Sequence, residues 1–369
     1  DPGPCAASLS EAELTAGAPT NSPFLADQLA AYDRARAYAL YRDLVAPVES
    51  AFAGKAKLFV TVTGRLSGLP LGVLITEPPK AGEDGADPSV LANAAWLADR
   101  HAMIGLPSVS VLRAVKRKPV ASRAGESFIG YGAPVLGGAA AGKSTPAGTR
   151  VFHSADSGGA TLADPDVLRQ LAPLPGTARE LSAMAAVFKA PPSDIRTGAS
   201  ATETAVRSDA NLAQARVVAF ATHGILPREV SGIEEPGLVF TPPALASAAD
   251  DGLLAASEVA RLTLVADWVL LSACNTASSD GTPGADSLSS LARSFLYAGA
   301  SALLASNWRV SDEATAALTV ETLSSRSSNG ITRAEALQRA MRAVRTGKRA
   351  DGSAIAGWNE SWAHPAAWG

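Results

Sequence analysis

The sequence predicts an α/β protein built on a doubly wound, mostly parallel sheet flanked by helices, with an N-terminal helical and β extension. Three observations carry this. From about residue 125 onward, apolar β-rich runs alternate with amphipathic helical stretches, the pattern of successive βα units. Runs such as VVAF (217–220) and VLL (269–271) are wholly apolar, as strands covered on both faces are. Composition agrees: 47% hydrophobic and 18% charged residues over 369 positions describe a globular chain able to bury a full core.

Taken in order, residues 1–50 read as an N-terminal helical segment. Within 22–52 the apolar residues fall at helical spacing and Pro47 starts a new turn, so two helices are expected. Residues 51–124 form a second region: KLFVTVT (57–63) reads as a strand, and Gly64, Gly68 and Pro70 as a turn leading to LGVLI (71–75). A polar loop at 78–88, a helix over 91–100 and a short apolar stretch at 109–115 complete it. The core is assigned to 125–369, with strands at 127–131, 194–197, 216–222, 267–273 and 300–306. Helices are expected at 177–188, 202–211, 257–262, 286–298, 311–324 and 332–345. Residues 137–160, dominated by Gly, Ala and Ser, read as a loop.

With 32 Lys and Arg against 35 Asp and Glu, the net charge of −3 gives no long-range field toward nucleic acid or an anionic membrane. No apolar run reaches the roughly 18 residues of a membrane span, and no signal-peptide pattern opens the chain. Its two cysteines, Cys5 and Cys274, form neither a disulfide framework nor a multi-cysteine zinc site, which fits a reducing, cytoplasmic compartment. The missing initiator Met reads as a fragment or a processed form.

Residues 137–144 (GGAAAGKS) match the spacing of a phosphate-binding loop. That chemistry needs a helix opening at the Gly-Lys-Ser, and the residues that follow have no helical period. Nor does any apolar strand end in the Asp that organises magnesium. Nucleotide binding is rejected on both grounds, and the segment is read as a loop.

Ligands of open parallel sheets bind beyond the carboxyl ends of the strands. Two strands end in reactive side chains there, ARVVAFATHG at His223 and ADWVLLSACNT at Cys274. If they are neighbours, both side chains emerge on one edge. A thiol of ordinary pKa is only about 3% thiolate at pH 7, so an imidazole that takes its proton makes it a useful nucleophile. The amides of Gly224 and Cys274 are candidate donors to the oxyanion. Each residue also has a plainer reading, as a buried structural cysteine or histidine. Their separation of 51 residues, close to the roughly 50 of caspases, shifts the balance toward a thiol hydrolase.

These stretches, with SLARSFLYAGASALLASNW (290–308) and SDEATA (311–316), resemble the CHAT peptidase domain, a caspase-like and separase-like cysteine protease family often attached to tetratricopeptide repeats. Upstream, YRDLVAPVESAFAGKAKLFVTVTGRLSGLPLGVL and PLPGTARELSAMAAVF extend the likeness to most of the chain. The resemblance implies a caspase-like fold, a His223 and Cys274 dyad, and an oxyanion hole of the Gly224 and Cys274 amides. It implies cleavage of a protein or peptide substrate with no cofactor and no metal, under control of a helical-repeat sensor. The alternative is a catalytically silent scaffold that binds a partner protein in the same groove. Trp308-Arg309 resembles the pair with which caspases line an acidic P1 pocket, so Arg309 would select Asp or Glu. If Asp280, Asp286 or Asp312 lines that pocket instead, Lys or Arg would be selected. The motif HPAAW (364–368) resembles the family's approach to a last apolar strand, so the core is expected to lack its final edge strand.

Overall fold

The computed structural model describes residues 31–80, 82–83, 85–109, 127–138, 162–174, 176–227, 233–272, 290–308, 311–326 and 330–369. The N-terminal part opens with α1 (Arg34–Leu44), whose first turn is capped by the Asp33 carboxylate accepting from the Arg36 amide. Next come α2 (Glu49–Phe52), β1 (Lys57–Val60), α3 (Pro88–Ala92), α4 (Leu97–Arg100) and β2 (Ala102–Gly105), with β1 and β2 paired in parallel.

One expectation for this part, the single helix over 91–100, is corrected. Residues 71–75, the apolar run after the turn, hold a 3-10 turn over Leu71–Val73 closed by the Leu74 amide on the Leu71 carbonyl, with Val73, Leu74 and Ile75 buried. The single helix over 91–100 is two short ones. It breaks where Trp96 bridges to Ile75 and turns its indole N–H onto the Leu91 carbonyl. The second strand of the small sheet is Ala102–Gly105, and the apolar stretch at 109–115 lies, beyond Val109, outside the described residues.

The core then runs β3 (Phe128–Pro134), α5 (Pro165–Leu168), α6 (Thr177–Val187), β4 (Ile195–Gly198), α7 (Glu203–Ser208), β5 (Val217–Ala221), β6 (Gly224–Ile225), β7 (Gly237–Val239), β8 (Leu253–Ala255) and α8 (Ala256–Val259). It continues with β9 (Trp268–Ser272), α9 (Ser290–Ala298), β10 (Leu303–Ala305), α10 (Asp312–Arg326) and α11 (Arg333–Thr346). Five strands form one parallel sheet in the order β10-β9-β5-β3-β4. A mostly parallel sheet flanked by helices is the caspase-like α/β class the sequence predicts.

The wholly apolar strands behave as buried parallel strands must. Val218 and Phe220 of β5 enter the cluster formed with Val206, Val259, Leu291 and Phe295, while Val217, Ala219 and Ala221 face Leu181, Met184 and Leu323 on the other side. Each large apolar side chain so enclosed contributes about 1.5–3 kcal/mol. Gly130 permits the close approach of α6, since a Cβ there would lie 2.9 Å from the Leu181 side chain.

A second, antiparallel sheet of order β6-β7-β8 stands beside the end of β5. Its strands are two or three residues long, too short for any period to announce them in the sequence.

Another core joins distant parts of the chain: Tyr32, Val73, Ile75 and Trp96 pack with Ala314, Val344, Trp362 and Trp368. Arg345 is its polar centre, bonded to both Asp99 oxygens at 2.9 and 2.8 Å, with its guanidinium carbon 6.0 Å from the Trp96 ring centre and 5.3 Å from that of Trp368. The HPAAW motif lies here as 3-10 turns, with the His364 Nδ1 accepting from the Ala366 amide.

Candidate active site

The parallel sheet makes β5 and β9 direct neighbours, in a register that sets Ala221 opposite Ser272. His223 follows Ala221 by two residues, and Cys274 follows Ser272 by two. The condition posed by the sequence, that the two strands be adjacent and parallel, is met. Cys274 and Asp286 lie outside the described residues, as do Asp280, Arg309 and the side chain of Asp312, the residue that opens α10.

His223 is fixed from three directions. Before it, buried Thr222 donates its hydroxyl to the Val239 carbonyl. Its own carbonyl accepts the Val239 N–H at 2.9 Å, locking the backbone to β7. Immediately after, Gly224 opens β6 opposite Leu238. Because the Val239 N–H goes to residue 223, Gly224 and Leu238 form a non-hydrogen-bonded pair, and the Gly224 N–H points away from β7.

The half-buried His223 ring places Nε2 2.8 Å from the Ala172 carbonyl oxygen. A carbonyl only accepts, so this contact selects the tautomer with hydrogen on Nε2 and gives Nδ1 the lone pair. Ala172 was not legible in the sequence. A backbone carbonyl has no side-chain signature, and its neighbours in QLAPLPG mark only a turn.

Ala172 lies on a segment that crosses toward the sheet edge after α5. The amide of Gly137 donates to the Arg169 carbonyl at 2.8 Å and that of Gly138 to the Leu171 carbonyl at 3.2 Å. A Cβ on Gly138 would sit 2.2 Å from the Gln170 oxygen, so glycine is what this approach requires. The first two amides of the phosphate-loop lookalike are therefore spent on carbonyls; residues 139–144 lie outside the described ones.

Trp308, expected to line a substrate pocket, donates its indole N–H to the Ala366 carbonyl at 3.0 Å and packs against the core around Trp96. His101 sits in the N-terminal part, its Nδ1 2.6 Å from the Lys55 carbonyl and its ring edge-on to Phe52. Among the described residues no helix is long and apolar enough to cross a membrane.

An imidazole held in one tautomer at the carboxyl edge of a parallel sheet, next to an outward-turned backbone amide, can take a proton and stabilise an anion. No curated protein matches the chain. The family model described as CHAT domain matches residues 34–369, and the chain belongs to that caspase-like, peptidase-related family.

Proposed function

We propose that this chain is a cysteine endopeptidase in which Cys274 attacks the scissile carbonyl and His223 moves the proton. The observation that carries the proposal is the shared register of β5 and β9, which ends both strands at Ala221 and Ser272, each two residues before a dyad member. The Ala172 carbonyl supports it by leaving the His223 lone pair on Nδ1.

In this reading the Cys274 thiol gives its proton to His223 as sulfur bonds the carbonyl carbon. The Gly224 and Cys274 amides hold the resulting oxyanion, where one such donor contributes about 3–4 kcal/mol. The C–N bond breaks as His223 protonates the leaving amine. Water, deprotonated by His223, then cleaves the thioester and regenerates the thiol. Arg309 favours Asp or Glu at P1, and the preceding Trp308 is held by its indole N–H on the Ala366 carbonyl. A protein substrate, a reducing compartment and a repeat-type sensor complete the proposal.

The test is cleavage-site profiling on a proteome-derived peptide library with wild type, Cys274→Ala and His223→Ala, each checked for folding. Cleavage only in wild type is expected, with acidic residues at P1. Equal patterns in all three would replace the peptidase with a binding scaffold of the same fold.

A further inference from the structure

Beyond the dyad, something must keep the Ala172 carbonyl on His223. The segment 162–174 that carries it is attached to the small antiparallel sheet by apolar packing and by one carboxylate. Asp251 Oδ2 accepts the Ala163 amide at 2.7 Å, at the start of the segment, while Oδ1 accepts the Leu253 amide at 2.9 Å, at the start of β8. One side chain thus ties the His-orienting segment to the sheet that holds the His223 backbone. Fully buried Leu168 reinforces the tie by packing with Ile225, Val239 and Leu253.

Asp251 is itself braced from behind. Its amide and that of Gly252 donate to Glu203 Oε2 at 2.9 and 3.3 Å. The other Glu203 oxygen accepts from Arg207 at 2.7 Å, and Arg207 also reaches the Ala249 carbonyl at 3.0 Å and Glu258 at 3.1 Å. Asp250, which accepts from the Thr204 hydroxyl at 2.7 Å, is the remaining carboxylate of this corner.

We propose that Asp251 is a positioning residue for His223, holding segment 162–174 so that the Ala172 carbonyl fixes the imidazole tautomer. The proposal rests on reading His223 as the catalytic base. Burial pushes the Asp251 carboxyl up, with Glu258 and Asp250 adding to that and the Ala163 and Leu253 amides opposing it. A carboxylate carried at that cost, with its two oxygens on backbone amides of two different segments, is a connector.

The test is Asp251→Asn in the full chain, labelled with 15N-histidine, with the His223 signals assigned by their loss in His223→Gln. Asparagine keeps its oxygen on Leu253, two residues on, and turns an NH2 toward the Ala163 N–H, so donor meets donor. Wild type is expected to show the Nε2–H tautomer alone and the folded variant an average of the two. Peptidase kcat at pH 7 is expected to fall by about tenfold to a hundredfold, its pH profile shifting while KM stays within about twofold. An unchanged 15N pattern in the folded variant would overturn the proposal. Should Asp251→Asn not fold, Ala163→Pro deletes the same donor and is read the same way; failure of both to fold makes the contact structural and also overturns it. If instead wild type cleaves nothing and Cys274 alkylates equally fast in His223→Ala, the peptidase reading fails, while the 15N comparison still decides the role of Asp251.

Discussion

Arg345 and His223 are both cationic or potentially cationic groups set against backbone carbonyls, yet their surroundings differ in kind. Arg345 is 3% exposed and enclosed by Asp99, the Ala92 carbonyl at 3.2 Å and two tryptophan faces. Burial lowers its pKa and Asp99 opposes that. His223 is half-buried, and its ring is set by a carbonyl from a loop that is held in turn by other side chains. The first arrangement joins chain segments; the second orients a ring at an edge without enclosing it. A polar group enclosed on every side serves the fold, and a half-buried one oriented at a sheet edge is available for chemistry.

The contrast breaks most decisively at Arg345. Arg345→Ala strands the Asp99 carboxylate and empties the space between Trp96 and Trp368, an expected loss of about 3–5 kcal/mol in urea unfolding. A loss under about 1 kcal/mol would reduce the cluster to ordinary apolar packing.

On the His223 side the titration of Glu203 sharpens the comparison. Burial pushes its pKa up to about 7 despite the hydrogen bond from Arg207. For a carboxyl whose pKa is higher folded than unfolded, the stabilising contribution is full below about 4.5 and is lost as pH rises to about 7. Relative to Glu203→Gln, which mimics the protonated side chain, wild type is therefore expected to lose about 3 kcal/mol across that window, seen as melting temperatures that lie together near pH 4.5 and separate toward pH 7 with wild type lower. Parallel curves would put Glu203 in an ordinary polar environment.

Gly138→Ala comes next, because its Cβ must push the Gln170 and Leu171 carbonyls away from 2.2 and 2.5 Å. A cost of about 1–3 kcal/mol in denaturant midpoint is expected, together with a mixed His223 tautomer. The smallest effect belongs to His223 itself: His223→Ala is expected to change stability by no more than about 1 kcal/mol while abolishing cleavage. Loss of several kcal/mol there would make His223 a structural residue after all.

What the sequence revealed follows from how each feature is encoded. Strands β5 and β9 were legible because double-sided burial writes continuous apolar runs, β3, β4 and β10 because each falls in the β half of a βα alternation, and helices α6, α10 and α11 because their length lets a 3.6 period show. The capping box of α11, with Thr332 and Glu335 bonding each other's backbone amides, fixes where the structure starts that helix. The antiparallel strands and the 71–75 turn escaped because two or three residues carry no period. Of the site, His223 and Gly224 were readable as residues at a strand end. Ala172 was not, since its contribution is a carbonyl whose position depends on Gly138, Leu168 and Asp251.

The core around Arg345 also sets a timetable for synthesis. Asp99 and Arg345 are 246 residues apart, so at roughly 5–20 residues per second the ribosome takes on the order of 12–50 seconds between them. Throughout that interval Trp96, Val73 and Ile75 lack Arg345, Trp362 and Trp368 to cover them, although β3, β5 and β9 can already assemble behind. The apolar side chains of residues 32–98 thus stay partly uncovered until α11 and the residues after it emerge, and slowing translation after residue 272 would lengthen that exposure.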